Sequence, residues 1–356
     1  MSTLLHRHLR AGLVLSTLLL CLLSASLTQA QGKLEKIRVE GASLKGNLEK
    51  DDPVRDVLVY LPPGYATDNG KRYPVIYFLH GYGQTAQFYA DVMKLPGAID
   101  EAIAAGTTPA IVVLPDAHTI YNGSMYSNSA TTGDWETFIA KELVTYIDKH
   151  YRTIAKRESR GLSGHSMGGY GTVRIGMKHP EVFISLYAMS SCCLMNRAPE
   201  QAAVEAQIAA AAAPAAPTPA PAAGAAPASA PPPGFAKVLQ AQAAAWAPNP
   251  QNPPLYFDWP FVEGVAQPIV QAKWIANSPL VTVDQNVPAL KHYKAIAIDV
   301  GDKDTLGASN KDLDKALTRL GVKHTFEVYD GDHTNRVPER FKDKLLPFFS
   351  QQLIAK

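Results

Sequence analysis

At 356 residues the chain is long enough for one large domain or two modest ones. Charged residues make up 19% and apolar residues 46%, the balance of a globular protein with a packed core. A formal net charge of +2 supplies no basic field, so nucleic acid is not an expected partner, and the charge of any substrate is left open.

The first thirty residues differ from the rest. His6, Arg7, His8 and Arg10 form a basic start, Leu13 to Leu23 an uncharged apolar run, and Thr28-Gln29-Ala30 a small-x-small cleavage site. The run is short for a membrane span. A secretory signal over 1–30, cut after Ala30, is therefore expected. It leaves a secreted or periplasmic domain over 31–356 with no stable membrane insertion. Cys21 lies inside this segment behind Leu18-Leu19-Leu20, without the small residue that precedes a lipidated cysteine. Cys192 and Cys193 read as free thiols beside a strand, with a strained vicinal disulfide as the alternative. Neither has metal-ligand spacing, and no metal or organic cofactor is expected.

Strands and helices then alternate, which predicts an α/β fold with a mostly parallel central sheet covered by helices on both faces. Ile37 to Glu40 and Val57 to Leu61 are the first strands. Val75 to Leu79 is continuously apolar, as a parallel strand buried on both faces should be, and ends at His80-Gly81-Tyr82-Gly83. Ala110 to Leu114 stops at Pro115-Asp116. From Trp135 the period becomes helical, with Phe138, Ile139, Leu143, Tyr146 and Ile147 on one side. Phe183 to Met189, Ala295 to Val300 and Thr325 to Tyr329 complete the sheet. A last amphipathic helix carries Phe341, Leu345, Leu346, Phe349 and Leu353.

A cap region over 194–280 interrupts this alternation. Within it, about 198–236 is an Ala/Pro-rich insertion, uncharged from Ala206 to Ala236, whose prolines forbid a long helix. It reads as a flexible spacer, with a mobile lid as the other reading. Trp246 to Ile275, rich in Trp, Tyr, Phe and Pro, is the expected ordered part of the cap.

Gly164-His165-Ser166-Met167-Gly168 carries the chemistry. A serine hydroxyl needs an adjacent base and an exposed position to act as nucleophile. A G-x-S-x-G strand-to-helix turn provides the exposure, with glycines relieving the clash. An oxyanion hole needs two backbone N–H donors. Met167, after the nucleophile, is one; the loop after Leu79 supplies the other, assigned to Tyr82 with Gly81 as the alternative. In the order Ser, acid, His, the acid follows Val300: Asp304 fits, with Asp302 as competitor, while Asp299 lies within its strand. His333, in Tyr329-Asp330-Gly331-Asp332-His333, is the expected base. His165 adjoins the nucleophile but points elsewhere by the geometry of the turn. His80, His118, His150, His179, His292 and His324 lack a matching place.

Together, Leu79 to Gly83, Trp135-Glu136-Thr137-Phe138, Gly164 to Gly169 and Gly331-Asp332-His333 resemble the esterase D-like family of α/β-hydrolases. That family includes S-formylglutathione hydrolases, feruloyl and acetylxylan esterases, enterochelin esterases and mycolyltransferases. The resemblance runs from about Val57 to Leu353, apart from the insertion. It implies the α/β-hydrolase fold with a cap-region insertion and a serine esterase acting on a small-molecule ester through Ser166, His333 and Asp304. The same residues could instead pass the acyl group to a sugar or lipid hydroxyl. By resemblance Trp135 touches substrate, although packing is the other reading; Gly81 and His165 are further candidate substrate contacts. A signal peptide argues against a glutathione thioester.

Overall fold

The computed structural model describes residues 31–195 and 237–356. The expected signal over 1–30 and the insertion over 198–236 lie outside the described residues. Eight strands form the main sheet: β1 (Lys33–Glu40), β2 (Val54–Leu61), β3 (Val75–Leu79), β4 (Ile111–Pro115), β5 (Arg160–His165), β6 (Ser185–Met189), β7 (Ala295–Gly301) and β8 (Thr325–Tyr329). Their spatial order is β1-β2-β4-β3-β5-β6-β7-β8. From β4 onward neighbours run parallel, while β2 is antiparallel to both β1 and β4. The strands foreseen from β1 to β8 are all present, with ends shifted by a few residues.

The alternating side chains of each buried strand feed two separate cores. From β3, Val75, Tyr77 and Leu79 enter one core, and Ile76 and Phe78 enter the other. On the second face lie α1 (Ala86–Asp91), α2 (Leu95–Ala104) and the C-terminal helix; Phe78 meets Phe341 edge-on with centroids 5.1 Å apart. On the first face lie α3, over 135–150, and α4 (Met167–Lys178). The Phe138–Leu143 part of α3 is wound as a π-helix. Burial on both faces explains why the central strands read as unbroken apolar runs.

The described part of the cap starts earlier than expected, with α5 (Val238–Trp246), followed by α6 (Pro268–Ala276). Trp246 packs edge-on against Trp274 at 5.4 Å and tilts against Tyr170 of α4 at 5.8 Å. The Tyr170 hydroxyl donates to the Asn277 carbonyl, and Ser129 donates to the Ala244 carbonyl. These contacts fasten the region to α4, which follows the nucleophile, and to the loop at Ser129. Short helical turns over Pro279–Thr282 and Val287–Lys291 lead into β7; α7 (Gly307–Arg319) follows β7, and α8, over 337–352, follows β8.

Parallel strands deliver their carboxyl ends to one edge of the sheet, where open α/β sheets hold their ligands. Gly164 pairs with Leu79, His165 with Met189, and Gly301 with Tyr329. The loops leaving β3, β5, β6, β7 and β8 therefore begin side by side.

Candidate active site

Ser166 sits between β5 and α4 with φ 59° and ψ −112°, a region an L-residue occupies only when its surroundings force it. The glycines make this turn possible. A Cβ at Gly168 would lie 1.9 Å from the Leu79 carbonyl oxygen, and one at Gly164 2.4 Å from the Gly168 oxygen. Strand and helix could not approach so closely with any side chain there. The Ser166 N–H donates to the Met189 carbonyl, and its own carbonyl accepts from Tyr170 and Cys192 N–H groups. The strained residue is thereby held on three sides.

Ser166 Oγ lies 2.9 Å from His333 Nε2, and His333 Nδ1 lies 2.8 Å from Asp304 Oδ2. The three residues chosen from sequence thus meet in one hydrogen-bonded line. The Asp304 side chain is fully buried and that of His333 is 30% exposed. Burial alone would push the Asp304 carboxyl up. Hydrogen bonds from His333 and from the Leu306 N–H, at 2.9 Å to Oδ1, outweigh burial and hold it below its ordinary value. A carboxylate that stays ionised in a dry site can fix the imidazole tautomer with Nδ1–H toward it, leaving Nε2 to accept the serine proton.

The competing aspartates have other work. Asp302 Oδ1 accepts from the Gly331 N–H at 2.9 Å, and the Lys303 N–H donates to the Gly331 carbonyl at 3.0 Å. These bonds tie the acid loop to the base loop. Asp332 Oδ1 accepts from the Thr334 and Asn335 N–H groups, which closes the turn around His333. Asp299 is buried and paired with Arg340.

The pocket beside Ser166 has a volume of about 230 Å³; Gly81, Tyr82, Phe88, Tyr89, Met93 and His165 are among its walls, and among the described residues no carboxylate, Lys or Arg lines it. Larger hollows at 760 and 610 Å³ lie elsewhere and contain none of these residues. Gly81 and His165 border the pocket. A Cβ at Gly81 would stand 3.4 Å from Ser166 Cβ, so glycine keeps the approach to the nucleophile open. The Gly81 N–H donates to Tyr89 Oη at 3.1 Å and is already engaged. Met167 is the first residue of α4, where N–H groups lack intrahelical acceptors and the helix dipole favours an anion.

Trp135 is a correction. It is 1% exposed, its Nε1 donates to the Thr132 carbonyl at 2.8 Å, and its ring packs on Phe138. It is absent from the pocket wall. A large ring buried in the α3 core has no face left for substrate, so the packing reading holds. The neighbouring Glu136 is buried and paired with two residues of α4. Burial opposes its charge, but Arg174 and Lys178 hold its pKa below the usual range. Both partners lie on α4, so this ion cluster anchors the helix that opens at Met167. Cys192 and Cys193 are unbonded, with Sγ atoms 2.6 Å apart.

Residues 52–349 match the protein family described as Esterase. The chain belongs to this family. The likeness is close to known esterases in sequence only over part of the chain. Esterase Rv1288 of Mycobacterium tuberculosis (strain ATCC 25618 / H37Rv) is 33% identical over 142 residues, 40% of this chain and 30% of that relative. An endo-1,4-beta-xylanase/feruloyl esterase of Xylanibacter ruminicola is 36% identical over 131 residues, 35% of this chain and 18% of that relative. The matched stretch thus spans less than a third of either relative's own length. Among solved structures, a ferulic acid esterase superposes with a TM-score of 0.63 at 23% identity, covering 91% of this chain and 99% of its own. An S-formylglutathione hydrolase from Agrobacterium tumefaciens superposes at 0.60 and 16% identity, covering 92% and 98%. These likenesses show the α/β-hydrolase fold. Among the described residues no helix is long and apolar enough to cross a membrane.

Sequence reasoning gave no role to Tyr89 or Arg340. Their partners, His165 and Asp299, are 76 and 41 residues away, and no local pattern records contacts of that range.

Proposed function

We propose that this protein is a secreted serine carboxylesterase acting by two-step acyl transfer to water. The observation that carries this reading is the unbroken line from Ser166 Oγ through His333 to Asp304 beside a pocket at the carboxyl edge of the sheet.

As Ser166 Oγ attacks the ester carbonyl carbon, His333 Nε2 takes its proton, and Asp304 stabilises the imidazolium. The backbone N–H groups of Met167 and Tyr82 stabilise the oxyanion, since the Gly81 N–H is engaged by Tyr89. Collapse of the tetrahedral adduct breaks the C–O bond to the alcohol, and His333 returns the proton to the departing oxygen. Water then attacks the acyl carbon as His333 Nε2 takes its proton; collapse breaks the bond to Ser166 Oγ, and His333 passes that proton to Oγ, releasing the acid and restoring the enzyme. The pocket's size and lack of charge suit a compact neutral acyl group, a hydroxycinnamoyl group among them, as the names of the ferulic acid esterase relatives suggest. The basic start, the apolar run to Leu23 and the Ala30 site support secretion.

Hydrolysis of p-nitrophenyl acetate by wild type and Ser166→Ala tests the reading, followed by acetyl and feruloyl esters of sugars. Turnover in wild type that disappears in the variant is expected. Equal rates in the two proteins would refute it. Adding sugar hydroxyl acceptors, and looking for transferred acyl product, separates hydrolysis from acyl transfer.

A further inference from the structure

The residue before the nucleophile is fully buried and makes two polar contacts, neither of which the reaction above uses. His165 Nδ1 lies 2.7 Å from Tyr89 Oη, and Nε2 lies 2.7 Å from the His333 carbonyl oxygen. The donor directions follow by elimination. A carbonyl can only accept, so His165 Nε2 carries the hydrogen and donates it to His333. Nδ1 must then accept, so the Tyr89 hydroxyl donates to it. The Tyr89 oxygen in turn accepts the Gly81 N–H at 3.1 Å. A one-way chain therefore runs from the loop after β3, through α1, through the nucleophile turn, to the backbone of the base.

The local packing supports a single arrangement. The His165 and His333 rings lie 4.7 Å apart, and Tyr89 is fixed by tilted contact with Phe78. Burial pushes the His165 imidazole down to about 3 and the Tyr89 hydroxyl up. Both stay neutral across the working range of an esterase, so the tautomer that donates to His333 persists.

We propose that His165, oriented by Tyr89, is a positioning residue for the general base. It holds the His333 main chain so that Nε2 faces Ser166 while Nδ1 faces Asp304. The same chain engages the Gly81 N–H through Tyr89. This inference rests on the esterase reading for its kinetic consequence, but the geometry it asserts is independent of turnover. Catalytic geometry is sensitive: a misplacement of about 1 Å can cost about 100-fold. His165 and Tyr89 also border the pocket, but His165→Phe and Tyr89→Phe each keep a ring at the wall, so the loss should fall on kcat more than on KM.

Three variants test this: His165→Phe, which keeps a ring and removes both nitrogens; His165→Gln, which keeps an N–H donor at the reach of Nε2; and Tyr89→Phe. With p-nitrophenyl acetate, His165→Phe should lower kcat by roughly 30- to 100-fold with KM within about threefold, and His165→Gln should recover to within about fivefold of wild type. The downfield proton resonance of His333 Nδ1–H, shared with Asp304, should be present in wild type and His165→Gln and lost in His165→Phe. If His165→Phe does not fold, Tyr89→Phe decides, with an expected kcat loss of about fivefold. His165→Phe with kcat within twofold of wild type would overturn the proposal, as would His165→Gln no better than His165→Phe, or an unchanged Tyr89→Phe. A wild type that turns over no ester would refute the esterase reading alone; the resonance comparison would still test the positioning.

Discussion

Around Asp299, inside β7, Arg340 donates through Nε at 2.9 Å and Nη2 at 2.8 Å, and the Tyr187 hydroxyl donates at 2.9 Å, all to Oδ2. Around Asp304, just past the same strand, the partners are His333 and the Leu306 N–H, one on each carboxylate oxygen. Both carboxyls are buried, and burial pushes both upward. Asp299, whose Oδ1 has no partner among the described residues, is pushed up to about 6 even beside Arg340. Asp304, satisfied at both oxygens, is held below its ordinary value. A guanidinium never gives up its proton, so the first region is an anchor between β7 and α8. An imidazole nitrogen can both accept and donate a proton, so the second can move one. The chemistry of each carboxylate is set by its partner.

Breaking the second region should cost activity and spare stability. Ser166→Ala should lower kcat by about 10⁵-fold, and Asp304→Asn by about 10⁴-fold because it admits the wrong tautomer. In both, the urea midpoint should stay close to that of wild type; a large drop would mean that the site also holds the fold together. Breaking the first region should do the opposite. Arg340→Leu strands a buried carboxylate and should cost about 3–5 kcal/mol in urea unfolding. Initial rates per folded molecule should remain within a few-fold of wild type. A loss of activity in the folded protein would show that the anchor also sets the site.

The smallest effect separates the two carboxyls by pH. Asp299 binds its proton more tightly folded than unfolded, where a carboxyl sits near 3.9, so its contribution to stability declines as pH rises through the interval up to about 6. Asp304 has the opposite sign: its contribution is present above the unfolded value and is lost as pH falls through its lowered folded value. Relative to Asp299→Asn, wild type should lose about 2 kcal/mol of stability between pH 4 and pH 6. Urea unfolding of both proteins at the two pH values checks this. A constant difference would remove the account of Asp299.

What was legible in the sequence was local. Gly164 and Gly168 mark the nucleophile turn because strand and helix meet there without room for a Cβ. Val75 to Leu79 reads as a central strand because both its faces are buried. The choice between Asp302 and Asp304 needed the structure: both follow β7, and only the fold shows one bonded to Gly331 and the other to His333. α7 escaped notice because it buries only Asn310, Leu313 and Leu317, too sparse an apolar stripe to read as a period. Trp135 misled as a substrate contact because a large aromatic at a helix start serves packing and binding equally well, and burial alone separates them. The chain from Gly81 to His333 was invisible because it joins four separate segments.

The central claim is that Ser166 forms a covalent acyl-enzyme with His333 as base. Rapid quenching of wild type with p-nitrophenyl acetate, followed by peptide mass spectrometry, tests it directly. The account predicts an acetyl group on Ser166 that is absent from Ser166→Ala and strongly reduced in His333→Ala. Ester hydrolysis that proceeds with Ser166 unmodified, or that survives in Ser166→Ala, would contradict it.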